Sequence, residues 1–243
     1  MDFIPNFTRS FFLFRHEADF QGRMLPGALL RFAQQVATDH CNAMGLTDEV
    51  YARTHTAFLL VRQTLEFYRV PHVDETLRFV TLPEAPQRAT YKRITLVTDE
   101  AGEEVACVDS RWVLVDTESR HILRKAPPEM ELAWPVQVDR QLEVGLPARL
   151  QDMEPAGEVL ARYTQCDMNG HVNNTRYADV ACDVIPVEEW QNAAVRRMTI
   201  HYHKEIPLGQ NAPLTRARME DGSWRITGWR ENKPCFDVQL WLG

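Results

Sequence analysis

The sequence has few features that would place it in a membrane or on nucleic acid. No apolar run approaches the roughly 20 residues that a membrane-spanning helix needs. Its 27 Lys and Arg residues are outnumbered by 34 Asp and Glu residues, and the net charge of −7 comes without any Lys/Arg run. This balance disfavours a nucleic-acid or membrane-surface partner. The opening segment, MDFIPNFTRSFFLF, lacks the basic start of a signal peptide and is predicted to form a strand.

The chain is also poor in cysteine. Its five cysteines are odd in number and form no CxxC pair, which favours reduced thiols in a cytoplasmic protein and argues against a zinc knuckle. His201 and His203 are spaced to share one face of a strand, but no third ligand stands at a metal-binding spacing. We therefore expect no metal and no cofactor.

The chain does contain an internal repeat. The pentapeptide DFQGR at 19–23 is similar to DMNGH at 167–171, an offset of 148. An amphipathic helix pattern follows each copy, and Gly45 and Pro186 are predicted to end the two helices. The residues predicted to be buried are Leu25, Leu29, Phe32, Ala33, Val36 and Met44 in the first helix, and Tyr177, Val180, Ala181, Val184 and Ile185 in the second.

A long strand and a meander of shorter strands follow each helix pattern. The long strands match at an offset of 135, so the first half carries 13 extra residues (148 less 135), mostly in a longer helix and its exit. The matched residues are Arg62, Leu65, Phe67 and Arg69 in the first half, and Arg197, Ile200, Tyr202 and Lys204 in the second. The other predicted strands cover 76–82, 89–99 and 104–116, then 213–220, 224–230 and 235–242.

One helix with several antiparallel strands, twice over, predicts an α+β fold in which each sheet wraps around its helix. This is the hot-dog fold, and two tandem copies form a double hot dog. The predicted division is a first domain over 1–125, a linker over 126–158 that is rich in proline and charge, and a second domain over 159–243.

The two pentapeptides differ in their capacity for acid–base chemistry. The first ends in Arg23 and the second in His171, and only histidine titrates near neutral pH. Side chains alternate along an extended backbone, so the second copy is predicted to present three candidates on one side: Asp167, Asn169 and His171. Asn173 and Asn174 follow at the helix start, where they can cap it. The free N–H groups of that terminus can stabilise an oxyanion.

The run CDMNGHVNNTRYAD, from Cys166 to Asp179, resembles the signature loop of acyl-acyl carrier protein thioesterases, the plant FatA/FatB class and its bacterial relatives. The similarity covers nearly the whole chain and includes FFLFRHEADFQGRMLPGALLRFAQQVA, LEFYRVP and DSRWVLVDTESRHILR in the first half. It implies hydrolysis of the thioester of acyl-acyl carrier protein, which releases a free fatty acid and ends chain elongation. The family's catalytic set includes a Glu-Cys pair after the second helix, where this chain has Glu205 and Ile206.

The replacement of that cysteine by Ile206 separates two mechanisms. A papain-like mechanism needs a thiol nucleophile beside His and Asn, which isoleucine cannot supply. We therefore expect Glu205, held by the loop histidine or asparagine, to position and deprotonate a water molecule. Asp167 is expected to orient the loop, polarise the thioester or attack it directly. The adjoining Cys166 should point away from Asp167, into packed surroundings.

The first half lacks the histidine and is predicted to be non-catalytic. The resemblance implies that its helix lines the acyl tunnel, and the candidate substrate-binding residues are Leu29, Phe32, Phe58, Asn173 and Asn174. The expected partner is an acidic acyl carrier protein, which needs a basic docking patch. Candidates for that patch are Arg9, Arg15, Arg23, Arg196 and Arg197. A monomer or a homodimer is expected.

Three alternatives stay open at this level. The same loop would serve a hydrolase of acyl-coenzyme A. A non-enzymatic acyl-binding or scaffold protein would share the fold without needing the acid–base residues. Hot-dog dehydratases also combine His with a carboxylate, but their loops do not look like CDMNGHVNN.

Overall fold

The two halves of the chain follow the same order of strands and helices. The computed structural model describes residues 4–132, 138–147 and 152–243. The first half contains β1 Phe7–Phe12, α1 Pro26–Ala43, α2 Asp48–Thr54, β2 Thr56–Phe67, β3 Thr76–Pro83, β4 Thr90–Thr98 and β5 Glu104–Asp116. The second half contains β6 Glu154–Leu160, α3 Arg176–Asp183, β7 Val195–Tyr202, β8 Asn211–Arg218, β9 Trp224–Arg230 and β10 Lys233–Leu242.

The strands in the described part of the chain join a single antiparallel sheet, in the order β1-β3-β4-β5-β2-β7-β10-β9-β8-β6. Each half contributes five neighbouring strands, and the order in the second half mirrors that in the first. The halves meet where β2 pairs with β7, with Thr64 opposite Thr199. The predicted α+β fold of two tandem hot-dog units is confirmed.

The helices follow the predicted apolar faces. Leu29 and Val36 of α1 are fully buried, as is Ala181 of α3. Proline at the first position of α1 suits a helix start, and Gly45, with φ +80°, takes the left-handed backbone that commonly follows a helix end. α1 has 18 residues against 8 in α3, so the expected longer first helix is confirmed. The exit from α1 forms a separate helix, α2, that was not predicted.

The two central helices touch each other at the middle of the molecule. Arg31 of α1 forms an ion pair with Asp179 of α3, with Nη1 and Oδ2 2.9 Å apart. A Cβ atom on Gly27 would lie 1.9 Å from Oδ1 of the same aspartate, so glycine is required for this close approach. Both halves share one hydrophobic core, in which Phe79 and Phe236 are fully buried.

The segment between the halves lies along the outer face of the sheet where the structure describes it. The Glu143 carbonyl accepts hydrogen bonds from Thr64 Oγ1 at 2.8 Å and from Arg197 Nη2 at 2.7 Å. Val144, whose carbonyl bonds His201 Nε2 at 2.7 Å, is buried. β6 begins within the stretch 126–158, and residues 133–137 and 148–151 of that stretch lie outside the described residues.

Candidate active site

The loop from Asp167 to His171 is a tight turn. The Asp167 N–H donates to the His171 carbonyl at 3.0 Å, and the Gly170 N–H donates to the Asp167 carbonyl, also at 3.0 Å. Gly170 has φ +76°, a left-handed conformation that favours glycine. The prediction of an extended segment with three side chains on one side is therefore wrong, because the chain reverses at this glycine.

A second segment holds the loop from the other side. The Val172 N–H donates to the Ile206 carbonyl at 3.0 Å, and the Leu208 N–H donates to the Gly170 carbonyl at 2.9 Å. These two bonds place the residues after β7 directly beside the turn. They bring Glu205, which is 34 positions from His171 in sequence, next to it in space.

The imidazole of His171 lies between two carboxylates. Its Nε2 is 3.8 Å from Glu205 Oε1, and its Nδ1 is 4.0 Å from Asp167 Oδ1. The side chains of His171 and Asp167 are about one quarter exposed, and that of Glu205 is 40% exposed. A polar separation of 3.8 Å suits a bridging water better than a direct hydrogen bond. Three of the four predicted catalytic side chains are therefore together.

Asp167 is held by the loop itself. Its Oδ1 accepts the Asn169 N–H at 2.9 Å, and its Oδ2 accepts Asn173 Nδ2 at 3.1 Å. Asn173 in turn accepts the N–H of Thr175, at 3.0 Å, and its hydroxyl at 2.7 Å, just before α3. The carboxylate thus connects the turn to the start of α3 through Asn173. The N-cap residue of α3 is Thr175, so the prediction that Asn173 and Asn174 cap the helix is not confirmed.

Asn169 occupies the tip of the turn and is exposed. Its backbone N–H bonds Asp167, but its side chain makes no hydrogen bond to any described residue. The structure does not bring the amide of Asn169 to Glu205, so of the two residues expected to hold that carboxylate only His171 lies beside it.

Asn174 presents a backbone donor at the start of α3. The hydrogen bonds formed among the described residues leave its N–H without an acceptor, while its carbonyl accepts the Tyr202 hydroxyl at 3.0 Å. Gln63 Nε2 donates to the same hydroxyl at 2.6 Å, so the helix start is tied to β2 of the first half. This N–H is the candidate oxyanion donor of the site.

The matching loop in the first half has the same backbone bonds. The Asp19 N–H donates to the Arg23 carbonyl at 2.8 Å, and the Gly22 N–H donates to the Asp19 carbonyl at 2.9 Å. Arg23, however, turns onto Asp19 with Nη2 and Oδ2 2.8 Å apart, and its side chain is only 12% exposed. The pair is closed upon itself, and Arg23 is not available to dock a partner.

The cysteines are packed, and none stands at the site as an exposed thiol. Cys166 packs against the core, as predicted, and burial together with the neighbouring Asp167 raises the pKa of its thiol above its ordinary value. Ile206, which stands in the expected cysteine position, is fully buried. A thiolate nucleophile is thus absent from the described surroundings of His171.

Sequence reasoning missed one basic residue at the site. Arg120, in the turn after β5, extends from the first half so that Nη1 lies 3.6 Å from Glu205 Oε2. Its side chain is 79% exposed, and its φ of +59° lies in the left-handed region. No local pattern marks this residue, because the contact joins segments 85 positions apart (205 less 120).

A narrow cleft runs from the start of α3 into the first half, between α1 and the inner face of the sheet. Asn174 and Thr175 border it at the start of α3, and Ala33 and Leu60 form part of its wall. Leu29, Phe32 and Phe58 lie elsewhere. Leu29 is in the core, Phe32 stacks on Phe11 with ring centroids 4.6 Å apart, and Phe58 meets Tyr91 at 4.9 Å.

These features define a tandem hot-dog protein with one histidine–carboxylate loop and one closed copy of it. Family models of the acyl-ACP thioesterase N-terminal domain and C-terminal domain match residues 5–131 and 151–231. The chain belongs to the acyl-ACP thioesterase family.

Relatives and solved structures agree with that assignment. The oleoyl-acyl carrier protein thioesterase 1 of Arabidopsis thaliana is 24% identical over 71% of this chain and 52% of the relative. The dodecanoyl-[acyl-carrier-protein] hydrolase of Cinnamomum camphora is 23% identical over 74% of this chain and 51% of the relative. The chain thus spans about half the length of these curated relatives.

Two solved structures share the fold. An acyl-ACP thioesterase from Bacteroides thetaiotaomicron aligns with a TM-score of 0.84 and 19% identity over 98% of both chains. The 12:0-ACP thioesterase from Umbellularia californica aligns with a TM-score of 0.82 and 17% identity over 99% of this chain and 98% of its own. Among the described residues, no helix combines the length and apolar character needed to cross a bilayer.

Proposed function

We propose that this chain hydrolyses the thioester of acyl-acyl carrier protein, which releases a free fatty acid and ends chain elongation. The observation that carries the proposal is the placement of His171 3.8 Å from Glu205, in a loop that leads into the start of α3, in a chain of the thioesterase family. The second half (159–243) would supply the chemistry, and the first half (1–125) would bind the acyl chain.

Glu205 is the general base in this mechanism. A water placed between Glu205 and His171 gives a proton to the carboxylate while its oxygen attacks the thioester carbonyl carbon. The negative charge that develops on the carbonyl oxygen is stabilised by the Asn174 N–H at the helix start. The tetrahedral intermediate then expels the pantetheine sulfur, which takes up the proton as it leaves. The products are a fatty acid and a free thiol.

Asp167 positions the loop in this proposal. The first loop, which lacks the histidine, serves as a comparison for Asp167. There, Asp19 accepts the matching backbone N–H, that of Gln21, at 2.9 Å. An aspartate that accepts the N–H two residues further on in both copies stabilises the turn itself. Both oxygens of Asp167 are already engaged, which favours an orienting role over nucleophilic attack.

Acyl-coenzyme A is the alternative substrate, since the same site would cleave either thioester. Arg120 stands exposed beside Glu205 and is the candidate contact for an anionic carrier, either an acidic acyl carrier protein or the phosphates of coenzyme A. The five cysteines carry free thiols, which supports a reducing compartment such as the cytoplasm. Both a monomer and a homodimer fit the proposal.

The test compares matched acyl chains on the two carriers. We expect kcat/KM to be higher for the carrier-protein thioester, and to fall with added salt because charge–charge docking is screened. Higher kcat/KM on coenzyme A would transfer the proposal to that substrate. Binding of both without release of acid would instead support a non-enzymatic acyl-binding protein.

A further inference from the structure

The cleft beside the site is lined by polar as well as apolar side chains. The face of α1 that borders it presents Leu30, Ala33 and Ala37, but Gln34 stands among them. The sheet opposite adds polar side chains, and those in contact with the cleft are Gln63, Arg93, Thr95 and Ser110. Gln63, Arg93, Thr95 and Ser110 already form hydrogen bonds within the protein. The group that a purely hydrocarbon occupant would leave unpaired is therefore the side-chain oxygen of Gln34.

Gln34 is the clearest case. Its Oε1 atom is buried, and none of the described residues donates a hydrogen bond to it. The neighbouring Gln35 differs, because it is exposed and its Nε2 donates to Asp39 at 3.0 Å. A buried acceptor without a donor is rare in folded proteins, and an acceptor that borders a ligand cleft is suited to a donor on the ligand.

Arg93 adds a positive charge to the same cleft. Its Nη1 bonds Thr81 Oγ1 at 3.0 Å and His40 Nδ1 at 3.1 Å, and Nη2 lies 3.6 Å from Cys41 Sγ. His40 Nε2 donates to the Ile4 carbonyl at 2.8 Å, so Nδ1 is the acceptor and the ring is neutral. In the part of the chain that is described, no carboxylate pairs with Arg93.

We propose that the acyl chain bound in this cleft carries a hydroxyl group, which donates its O–H to Gln34 Oε1 and accepts an N–H from the Arg93 guanidinium. The inference rests on the proposed thioesterase function and specifies its substrate class. A hydroxyl is the simplest substituent that satisfies both residues, because it donates and accepts at once. A carbonyl would only accept, and would leave the Gln34 oxygen unpaired.

Selectivity for a hydroxylated acyl chain should follow from the Gln34 oxygen, which stays unpaired when the substrate lacks the hydroxyl. A site built to bond a substrate hydroxyl rejects an analogue that lacks it, because the polar groups of the site then stay buried without partners. We expect kcat/KM for the preferred hydroxyacyl chain to exceed that for the unsubstituted chain of equal length by about tenfold or more.

The experiment uses the full chain with a panel of acyl-carrier-protein thioesters of one length. The panel contains the unsubstituted chain and its positional hydroxy isomers, and kcat/KM is measured for each. Gln34→Leu should abolish the preference by slowing the hydroxyacyl substrate and speeding the unsubstituted one. Gln35→Leu is the matched control and should keep the wild-type ratio.

The possible outcomes distinguish failure of the hydroxyl preference from failure of the proposed thioesterase function. Equal or faster turnover of the unsubstituted chain across the whole panel would overturn the inference and leave the thioesterase proposal standing. A hydroxyl preference that survives Gln34→Leu would also overturn it. Failure to cleave any member of the panel would contradict the proposed function itself.

Discussion

The hydroxyls of Thr64 and Thr199 lie 2.8 Å apart at the centre of the sheet, and the two residues are separated by 135 positions, the offset that relates the two halves. Each is fully buried and faces its own counterpart across the β2–β7 junction. The pseudo-twofold axis of the molecule therefore passes between these side chains.

That pair gives a stability prediction. Thr64→Val leaves the buried Thr199 hydroxyl without its partner and should lower the free energy of unfolding by about 1–3 kcal/mol. Thr199→Val should cost less, because Thr64 still donates to the Glu143 carbonyl. The double variant should cost less than the sum of the two, because both polar groups are gone. Urea unfolding measures the difference, and Thr8→Val, on exposed edge strand β1, is the control. Strict additivity would contradict the coupling.

Removing the proposed base should abolish most turnover. Glu205→Gln keeps the shape of the side chain but cannot accept the water proton, so kcat should fall by about 10²–10⁴-fold with little change in KM. Glu231→Gln is the matched control, since Glu231 is exposed and pairs with Lys204 beside the site. If Glu205→Ala and Asp167→Ala both retained near wild-type rates, the assignment of the carboxylates would be wrong.

The last residues of the two matching loops, Arg23 and His171, can be exchanged in separate variants. His171→Arg copies the first loop into the second and should remove activity while the fold is kept, because Asp167 and Glu205 can both pair with the arginine. Arg23→His should leave kcat unchanged and cost about 1–3 kcal/mol of stability, because it removes a largely buried ion pair and the hydrogen bond to the Trp190 carbonyl. Steady-state kinetics with a thermal melt distinguishes the two effects. Activity that survives in His171→Arg would exclude the imidazole from catalysis.

A cysteine placed at position 206, where the family resemblance implies one, should not become the nucleophile. Ile206 is fully buried, so Ile206→Cys should cost about 1 kcal/mol through the lost packing and leave turnover dependent on Glu205. Cys166→Ala should turn over at close to the wild-type rate. Iodoacetamide inactivation of the first variant, or loss of activity in the second, would revive a cysteine mechanism.

His40 predicts a pH dependence of stability. Burial, and next the positive charge of Arg93, lower the pKa of His40 to about 4 in the folded protein. Its ordinary value is about 6.5, so the unfolded chain binds the proton more readily. The stabilisation is complete above pH 6.5, is lost as pH falls through 4, and amounts to about 3 kcal/mol. His40→Gln should flatten this part of the urea-stability profile, whereas exposed His121→Gln should not.

Much of the fold could be predicted from the sequence, because the repeat appears both in short motifs and in the order of helix and strand patterns. The pattern of period two along the strands and the amphipathic helix patterns appear in the same order in both halves, so the element order was predictable. The separate helix α2 was not, because Asp48–Thr54 has only 7 residues and one buried side chain, which gives no usable period. The sequence also did not show which face of α1 borders the cleft, because the residues of this helix are largely buried at the middle of the sheet.

The site was predictable in its residues more than in its geometry. The loop around His171 carries its chemistry in sequence, and Glu205 could be located only through the resemblance. The alternation of side chains predicted Asn169 on the same side as Asp167 and His171. That prediction is wrong, because the chain turns within the loop, where Gly170 has a left-handed backbone. Arg120 carries no sequence signal, because its approach to Glu205 is created by the docking of one half on the other.

The junction of β2 with β7 has an evolutionary consequence. In a dimer of identical chains, every substitution is copied into both symmetry-related loops, so neither can specialise without the other. Joining the copies in one polypeptide removes that constraint at the level of the gene. One loop could retain His171 while the other accepted Arg23 and sealed itself against Asp19. Two copies in one polypeptide therefore permit a division of labour that a symmetric dimer of identical chains cannot have.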